Sequence, residues 1–256
     1  MQKNDQMQEP LHPVILDTLV IVAHPDDAEI SVGGTILALK KAGQKVGVID
    51  LTNGEPTPFG SPEIRALETA EATKILNLDF RANLGLPNRA IEPTLEARAT
   101  LAGWIRKLKP KLLITHHWED SHPDHVAASS LVDAARFWGK LSKTSLPGSP
   151  HHAKFVLYAP SIHLRQVTKP DIVIDISPYL ETKMAACRAY YSQLVQGRPE
   201  GAFGPLGDIQ AQARFWGWAI QAQYGEPLFS REALGIEHPG LLTNPSFNPI
   251  ATTFKV

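Results

Sequence analysis

A single cysteine, Cys187, stands in this chain of 256 residues, so no intrachain disulfide can form and no thiolate cage can enclose a metal. A reducing compartment suits such a chain. Charge of one sign is lacking too: 25 Lys and Arg oppose 26 Asp and Glu, for a formal net charge of -1. With no basic surplus and no Lys/Arg run longer than two, the sequence lacks the electrostatic footprint of a nucleic-acid binder. Long apolar runs are equally missing; the longest are strand-sized, well short of the roughly 20 residues that cross a bilayer. The first ten residues, MQKNDQMQEP, are polar and hold no signal-peptide core. The expectation is a cytoplasmic protein with neither nucleic acid nor membrane as a partner. Internal repeats and low-complexity tracts are absent, and the length suits one large domain.

What the chain does contain is an alternation of strand and helix signals. Leu19, Val20, Ile21 and Val22 mark a strand over 13–23, and the spacing of Ile36, Leu37 and Leu39 marks a helix over 32–42 that Gly43 is placed to close. A strand over 45–51 precedes a helix over 62–76 that opens on Pro62. A short strand near 81–84, an amphipathic helix over 95–108, a strand over 111–115 and a helix over 124–141 continue the pattern. Past a turn-rich linker at 147–152 come strands over 155–159 and 172–176 and helices over 180–195 and 208–223. This predicts an α/β fold: a single Rossmann-like domain with a mostly parallel sheet and helices on both faces. Its expected limits are 13–225. A flexible N-terminal arm takes 1–12, and a Pro-, Asn- and Gly-containing extension at 226–256 packs on the domain or at a subunit interface.

In open parallel sheets, ligands bind beyond the carboxyl ends of the strands. After the first strand stands Ala23-His24-Pro25-Asp26-Asp27-Ala28-Glu29. After the fourth stands His116-His117-Trp118-Glu119-Asp120-Ser121-His122-Pro123-Asp124-His125, so these two segments hold five of the ten histidines. An imidazole and a carboxylate from the first, with an imidazole from the second, supply three ligands to a zinc-like ion and leave a position for water. That is a catalytic pattern, because a structural zinc is closed by a fourth ligand. Zinc lowers the pKa of water to about 7, and a spare carboxylate beside it can take the proton. Asp26 and Asp27 offer such a pair, and spacing alone does not divide the roles between them. A blander reading competes: Asp26 with Glu29, and Ser121 with Asp124, are each spaced as helix capping boxes. On that reading the protein is a non-catalytic Rossmann-like sugar or nucleotide binder. Two caps do not require histidines, however, and Pro25 and Pro123 each fix a φ angle inside a tight strand-to-helix turn. Gly33-Gly34 serves close packing and lacks the third glycine of a dinucleotide fingerprint. His116 and His117 read as packing residues at a strand end, and His163, after a predicted strand, is a lesser site candidate.

Together these motifs resemble the LmbE-like or PIG-L superfamily of zinc-dependent N-acetylglucosaminyl deacetylases. The resemblance runs over about 15–226, through Leu51-Thr52-x-Gly54-Glu55, Pro62-Glu63-Ile64-Arg65 with Glu68, Asn83-Leu84-Gly85-Leu86-Pro87, Val173-Ile174-Asp175-Ile176-Ser177 with Lys183, and Tyr224-Gly225-Glu226. It looks most like the bacillithiol-type branch, which deacetylates N-acetylglucosaminyl-malate. The resemblance implies His24, Asp27 and His125 as ligands of one Zn2+ and Asp26 as the general base. It implies His122 as the group that stabilises the oxyanion or protonates the departing amine, with Asp124 holding its ring. Glu55 and Arg65 match positions that line the sugar site. The chain departs from the branch where Phe59 and Ser121 replace arginines and Asn88 replaces an aspartate. Phe59 would offer an apolar face to the substrate and Asn88 a hydrogen bond. Two arginines are gone, and Arg65, Arg81, Arg89 or Arg165 can replace them only where the fold brings them near the cleft, so neutral N-acetylglucosaminides are expected to be turned over at least as well as the malate conjugate. The implied function is zinc-dependent removal of acetyl from a small N-acetylated amino sugar, by a chain expected to form a homo-oligomer. An amidase acting on a thiol-sugar conjugate and a chitooligosaccharide deacetylase are alternatives within the same chemistry.

Overall fold

The computed structural model describes residues 14–199, 201, 204–235 and 238. The expected N-terminal arm and most of the expected C-terminal extension lie outside these residues. Strands β1 (Thr18–Val22), β2 (Val46–Thr52), β3 (Phe80–Leu86), β4 (Leu112–His116) and β5 (Phe155–Ala159) form one sheet, every neighbouring pair parallel, in the order β3-β2-β1-β4-β5. Helices α1 (Asp27–Lys41), α2 (Pro62–Ile75), α3 (Leu95–Leu108) and α4 (Pro123–Gly139) alternate with the first strands. Successive side chains of β1 go to opposite faces, as a period of two demands. Leu19 and Ile21 join Leu101 and Ile105 of α3 and Leu131 of α4, while Val20 and Val22 join Val32 and Ile36 of α1. Each such side chain, wholly buried, contributes about 1.5 to 3 kcal/mol. Both faces are therefore dry, and the strands read as apolar runs rather than as an alternation.

Beyond β5, the strands β6 (Ile172–Asp175) and β7 (Gly225–Leu228) pair antiparallel outside the main sheet. Tyr158 of β5 and Phe229 exchange two backbone hydrogen bonds of 2.9 Å, which ties this small ribbon to the sheet edge. The boundary drawn at 225/226 falls inside β7, where Glu226 is only 2 % exposed. The helix expected over 180–195 is two elements, α5 (Leu180–Ala189) and α6 (Tyr191–Leu194), broken at the fully buried Tyr190 (φ -82°, ψ 62°). The helix expected over 208–223 is α7 (Pro205–Ala219), which begins earlier because Pro205 suits the first helical position.

The largest departure is α1, which begins at Asp27 and is broken at Val32 (φ -138°, ψ 19°). The break releases the N–H groups of Gly34 and Thr35 and the carbonyl of Ile30 from their helical partners. Glu226 of β7 accepts from the two amides at 2.9 and 2.6 Å and from the Thr35 hydroxyl, while Lys183 of α5 donates to the Ile30 carbonyl at 2.7 Å. The two side chains close on each other at 2.5 Å. Gly34 is required there, since a Cβ would stand 2.6 Å from Ile176.

Candidate active site

β1 and β4 are neighbours at the point where the strand order reverses, so their carboxyl ends bring the two histidine-rich segments together. His24, Asp27 and His125 each present a ligand atom, and these atoms lie within 4.8 Å of one another. Asp27 is central. Its Oδ2 accepts from the His24 backbone N–H at 2.8 Å and lies 3.1 Å from His24 Nδ1, and its Oδ1 lies 3.3 Å from His125 Nε2. Burial pushes the Asp27 carboxyl up, but the His125 and His116 rings outweigh it and hold the group well below the usual carboxylate range. His125 is wholly buried, and its Nδ1 faces Asp120 Oδ2 at 2.9 Å. Its Nε2 is buried without a hydrogen-bond partner among the described residues. An imidazole anchored through one nitrogen, with the other unpartnered beside a carboxylate and a second imidazole, is a donor set that fits a divalent ion.

Asp26 stands beside this set in a backbone conformation that only a fixed surrounding maintains, with φ at 120° and ψ at -29°. It precedes α1, yet its side chain makes no capping hydrogen bond. Instead its Oδ2 lies 3.2 Å from Nη1 of Arg65, whose guanidinium also donates to the Pro25 carbonyl and, at 3.3 Å, to Glu55 Oε1. Burial raises the Asp26 carboxyl to about 7 against the pull of Arg65, with Asp27 adding to the rise. Glu29, the last acid of the first motif, is neither ligand nor cap. It pairs at 2.6 Å with Arg81, which also grips Asp50 in the protein interior. The capping-box reading fails at the second motif as well, where the ring of His122, not Ser121, caps α4 by accepting from the Asp124 N–H at 3.2 Å.

That cap corrects the role expected of Asp124. Its carboxylate does not hold the His122 ring; it lies 3.2 Å from His24 Nε2 and accepts from the backbone amides of Arg89 and Ile91 at 2.8 and 3.3 Å. His122 is held by the Asp124 backbone instead. With Nδ1 accepting, the proton of the neutral ring sits on Nε2. Burial, with His125 and His24 nearby, pushes His122 down to about 4.

His24, Asp26, Asp27 and His122 line a cleft of about 480 Å³. Arg65 and Asn88 border it, and the Asn88 Oδ1 is buried there without a partner among the described residues. Glu55 is placed otherwise than the resemblance implies, because its two oxygens accept from Thr57 and Arg65. Phe59 does not line the cleft; its ring covers Gly197, where a Cβ would stand 2.5 Å away. Arg89, Arg165 and Arg198 stand at the cleft, so replacing arginine at 59 and 121 does not leave it without cations. Arg89 and Arg165 are two of the arginines the sequence offers as replacements, whereas Arg198 and Gln193 come from a loop and a short element with no periodicity to announce them. Asp120 carries a usable signal, an acid two residues before His122 in the same segment. Replacing Asp120 by Asn should weaken binding of a divalent ion at these residues by about 10- to 100-fold, since the carboxylate orients the His125 ring. Competition against a chromogenic chelator measures this, and unchanged affinity would show that the contact does not matter.

The family model described as GlcNAc-PI de-N-acetylase, PIG-L, matches residues 19–136, which carry both motifs. A probable N-acetyl-alpha-D-glucosaminyl L-malate deacetylase 2 of Bacillus anthracis is 26% identical over 188 residues, covering 68% of this chain and 80% of that protein. A diacetylchitobiose deacetylase of Thermococcus kodakarensis is 29% identical over 203 residues, 73% of each chain. Among solved structures, a conserved protein of Thermus thermophilus is 37% identical with a TM-score of 0.79, over 87% of this chain and 98% of its own. Within the described residues no helix is long and apolar enough to cross a membrane. With the matched stretch spanning both strand ends and the structural likeness extending over nearly the whole fold, the chain belongs to the PIG-L/LmbE family of deacetylases.

Proposed function

We propose that this protein is a zinc-dependent N-deacetylase that hydrolyses the acetamido group of a small N-acetylglucosamine-containing molecule. The observation that carries the reading is the cluster of His24, Asp27 and His125 with a buried, unpartnered ring nitrogen, beside a carboxylate that caps nothing. A divalent ion held by these three residues supplies Lewis acidity toward the amide carbonyl and toward water, and the mixed nitrogen and oxygen donors favour zinc. Asp26, turned toward the cleft by Arg65, takes a proton from the attacking water. His122 offers its Nε2–H to the oxygen that gains charge as the amide carbon becomes tetrahedral. When the C–N bond breaks, the proton carried by Asp26 passes to the departing amine, so acetate and a free amino sugar are the products. Asn88, with an acceptor turned into the cleft, suits a sugar hydroxyl. The non-catalytic binder loses its premise, because neither Asp26 nor Ser121 caps a helix.

Zinc-loaded and chelated protein, incubated with N-acetylglucosamine, N,N'-diacetylchitobiose and N-acetylglucosaminyl-malate, tests the reading by acetate release. Activity restored by zinc on at least one of them is expected. Alanine at His24, Asp27 or His125 should remove the metal while leaving the far-ultraviolet dichroism unchanged, since the apolar core lies on the two sheet faces. A full equivalent of metal retained in all three variants would overturn the ligand assignment.

A further inference from the structure

Each ring of the site described above is held by the protein except one. His125 is held by Asp120, His24 by Asp27 and Asp124, and His122 by the Asp124 amide. His163, on the loop that leaves β5, stands with its ring centroid 5.4 Å from that of His125 and 5.8 Å from that of His122. It lines the same cleft, and neither of its ring nitrogens has a hydrogen-bond partner among the described residues. Its side chain is open to solvent.

The loop itself is not free to carry the ring elsewhere. Ser161 is 4 % exposed and its hydroxyl accepts from the His163 N–H at 3.4 Å, and its carbonyl accepts from Gln212 of α7 at 3.4 Å. Ile162 packs against the apolar cluster that α5 and α7 share. The backbone on the N-terminal side of His163 is thus anchored while its ring faces the cleft. β5 adjoins β4, so His163 leaves the same carboxyl edge of the sheet as the two motifs, one strand further from the switch point.

We infer that His163 is a substrate-contacting residue, its imidazole hydrogen-bonding a hydroxyl of the N-acetylated sugar. This rests on the deacetylase reading. A neutral imidazole donates from one nitrogen and accepts at the other, which matches a sugar hydroxyl that does both. The contact discriminates between substrates: an acetamide without sugar hydroxyls gains little from it, whereas N-acetylglucosamine gains a hydrogen bond that fixes its orientation.

Zinc-loaded wild type, His163→Ala and His163→Gln are compared for kcat/KM on N,N'-diacetylchitobiose and on N-acetylethanolamine, with metal content measured in each. His163→Ala should lose about tenfold on the disaccharide, equivalent to about 1.4 kcal/mol, and no more than about twofold on the small acetamide, with metal unchanged. His163→Gln, which retains a donor and an acceptor, should recover part of the loss. Independently of turnover, the side-chain ¹⁵N resonances of His163, assigned through the Gln variant, should shift when N-acetylglucosamine is added to metal-free protein. Equal losses on both substrates, a loss that follows metal content, or resonances that do not respond to the sugar would each overturn the inference. A wild type that releases acetate from nothing offered to it overturns the deacetylase reading instead, and the resonance shift then decides alone whether His163 meets a sugar.

Discussion

Asp26→Asn is expected to lower kcat by about 10²- to 10⁴-fold, the range for loss of a general base, with zinc content and fold retained. The substitution is narrow by design. Asparagine keeps the shape of the side chain, presents an oxygen to Arg65 Nη1, which lies 3.2 Å from the present carboxylate, and tolerates positive φ better than other non-glycine residues. What it removes is the capacity to take a proton. Because Asp27, not Asp26, meets His24 and His125, metal binding should survive. Turnover in single-cycle experiments under saturating zinc separates the chemical step from product release. Wild-type kcat in this variant would show that Asp26 is not the general base, whereas loss of the metal from it, with metal retained in Asp27→Asn, would show that the adjacent aspartates have been given each other's roles. His122→Ala should fall too, but through loss of the Nε2–H donor, so its defect persists at every pH at which Asp26 is ionised.

The strand runs and the two motifs are legible because each is a local signal. Leu19 to Val22 lie between two helical layers, so an unbroken apolar run has little else to mean, and the histidines mark two adjacent strand ends. Other features depend on partners remote in sequence. Nothing near Asp124 says that its carboxylate goes to His24, 100 residues away, rather than to the ring two residues before it. Arg65 and Glu55 are ten residues apart and look equally like sugar ligands, yet the fold points them at each other and Arg65 also at Asp26. Phe59 reads as facing the substrate because it stands where the resembled branch carries an arginine, but Gly197 offers it a surface without a side chain. The start of α1 escapes the sequence for the same reason. The apolar spacing holds only after Val32, and the groups that make the break tolerable belong to α5 and β7, 153 and 192 residues further along the chain.

That break gives the largest expected effect on stability. Glu226→Ala and Lys183→Met should each destabilise the metal-free protein by about 3 to 5 kcal/mol, the loss found when one partner of a buried ion pair is removed. Both side chains are about 2 % exposed, so neither charge can turn to water when the other is gone. The usual compensation, refilling the space with apolar atoms, is weak here because the pair also serves the backbone. Without Glu226 the Gly34 and Thr35 amides lose their acceptor, and without Lys183 the Ile30 carbonyl loses its donor. The double variant should therefore remain well below wild type, although less than the sum of the two, since removing both leaves no unpaired charge. Denaturant unfolding without metal is the proper measurement, because a bound ion adds its own linkage to folding. A fall in Tm of about 6 to 20 °C corresponds to the same loss in a domain of this size. Single variants within about 1 kcal/mol of wild type would mean that water enters the break and satisfies it, and the ion pair would then have no part in setting the direction from which α1 delivers Asp27 to His24 and His125.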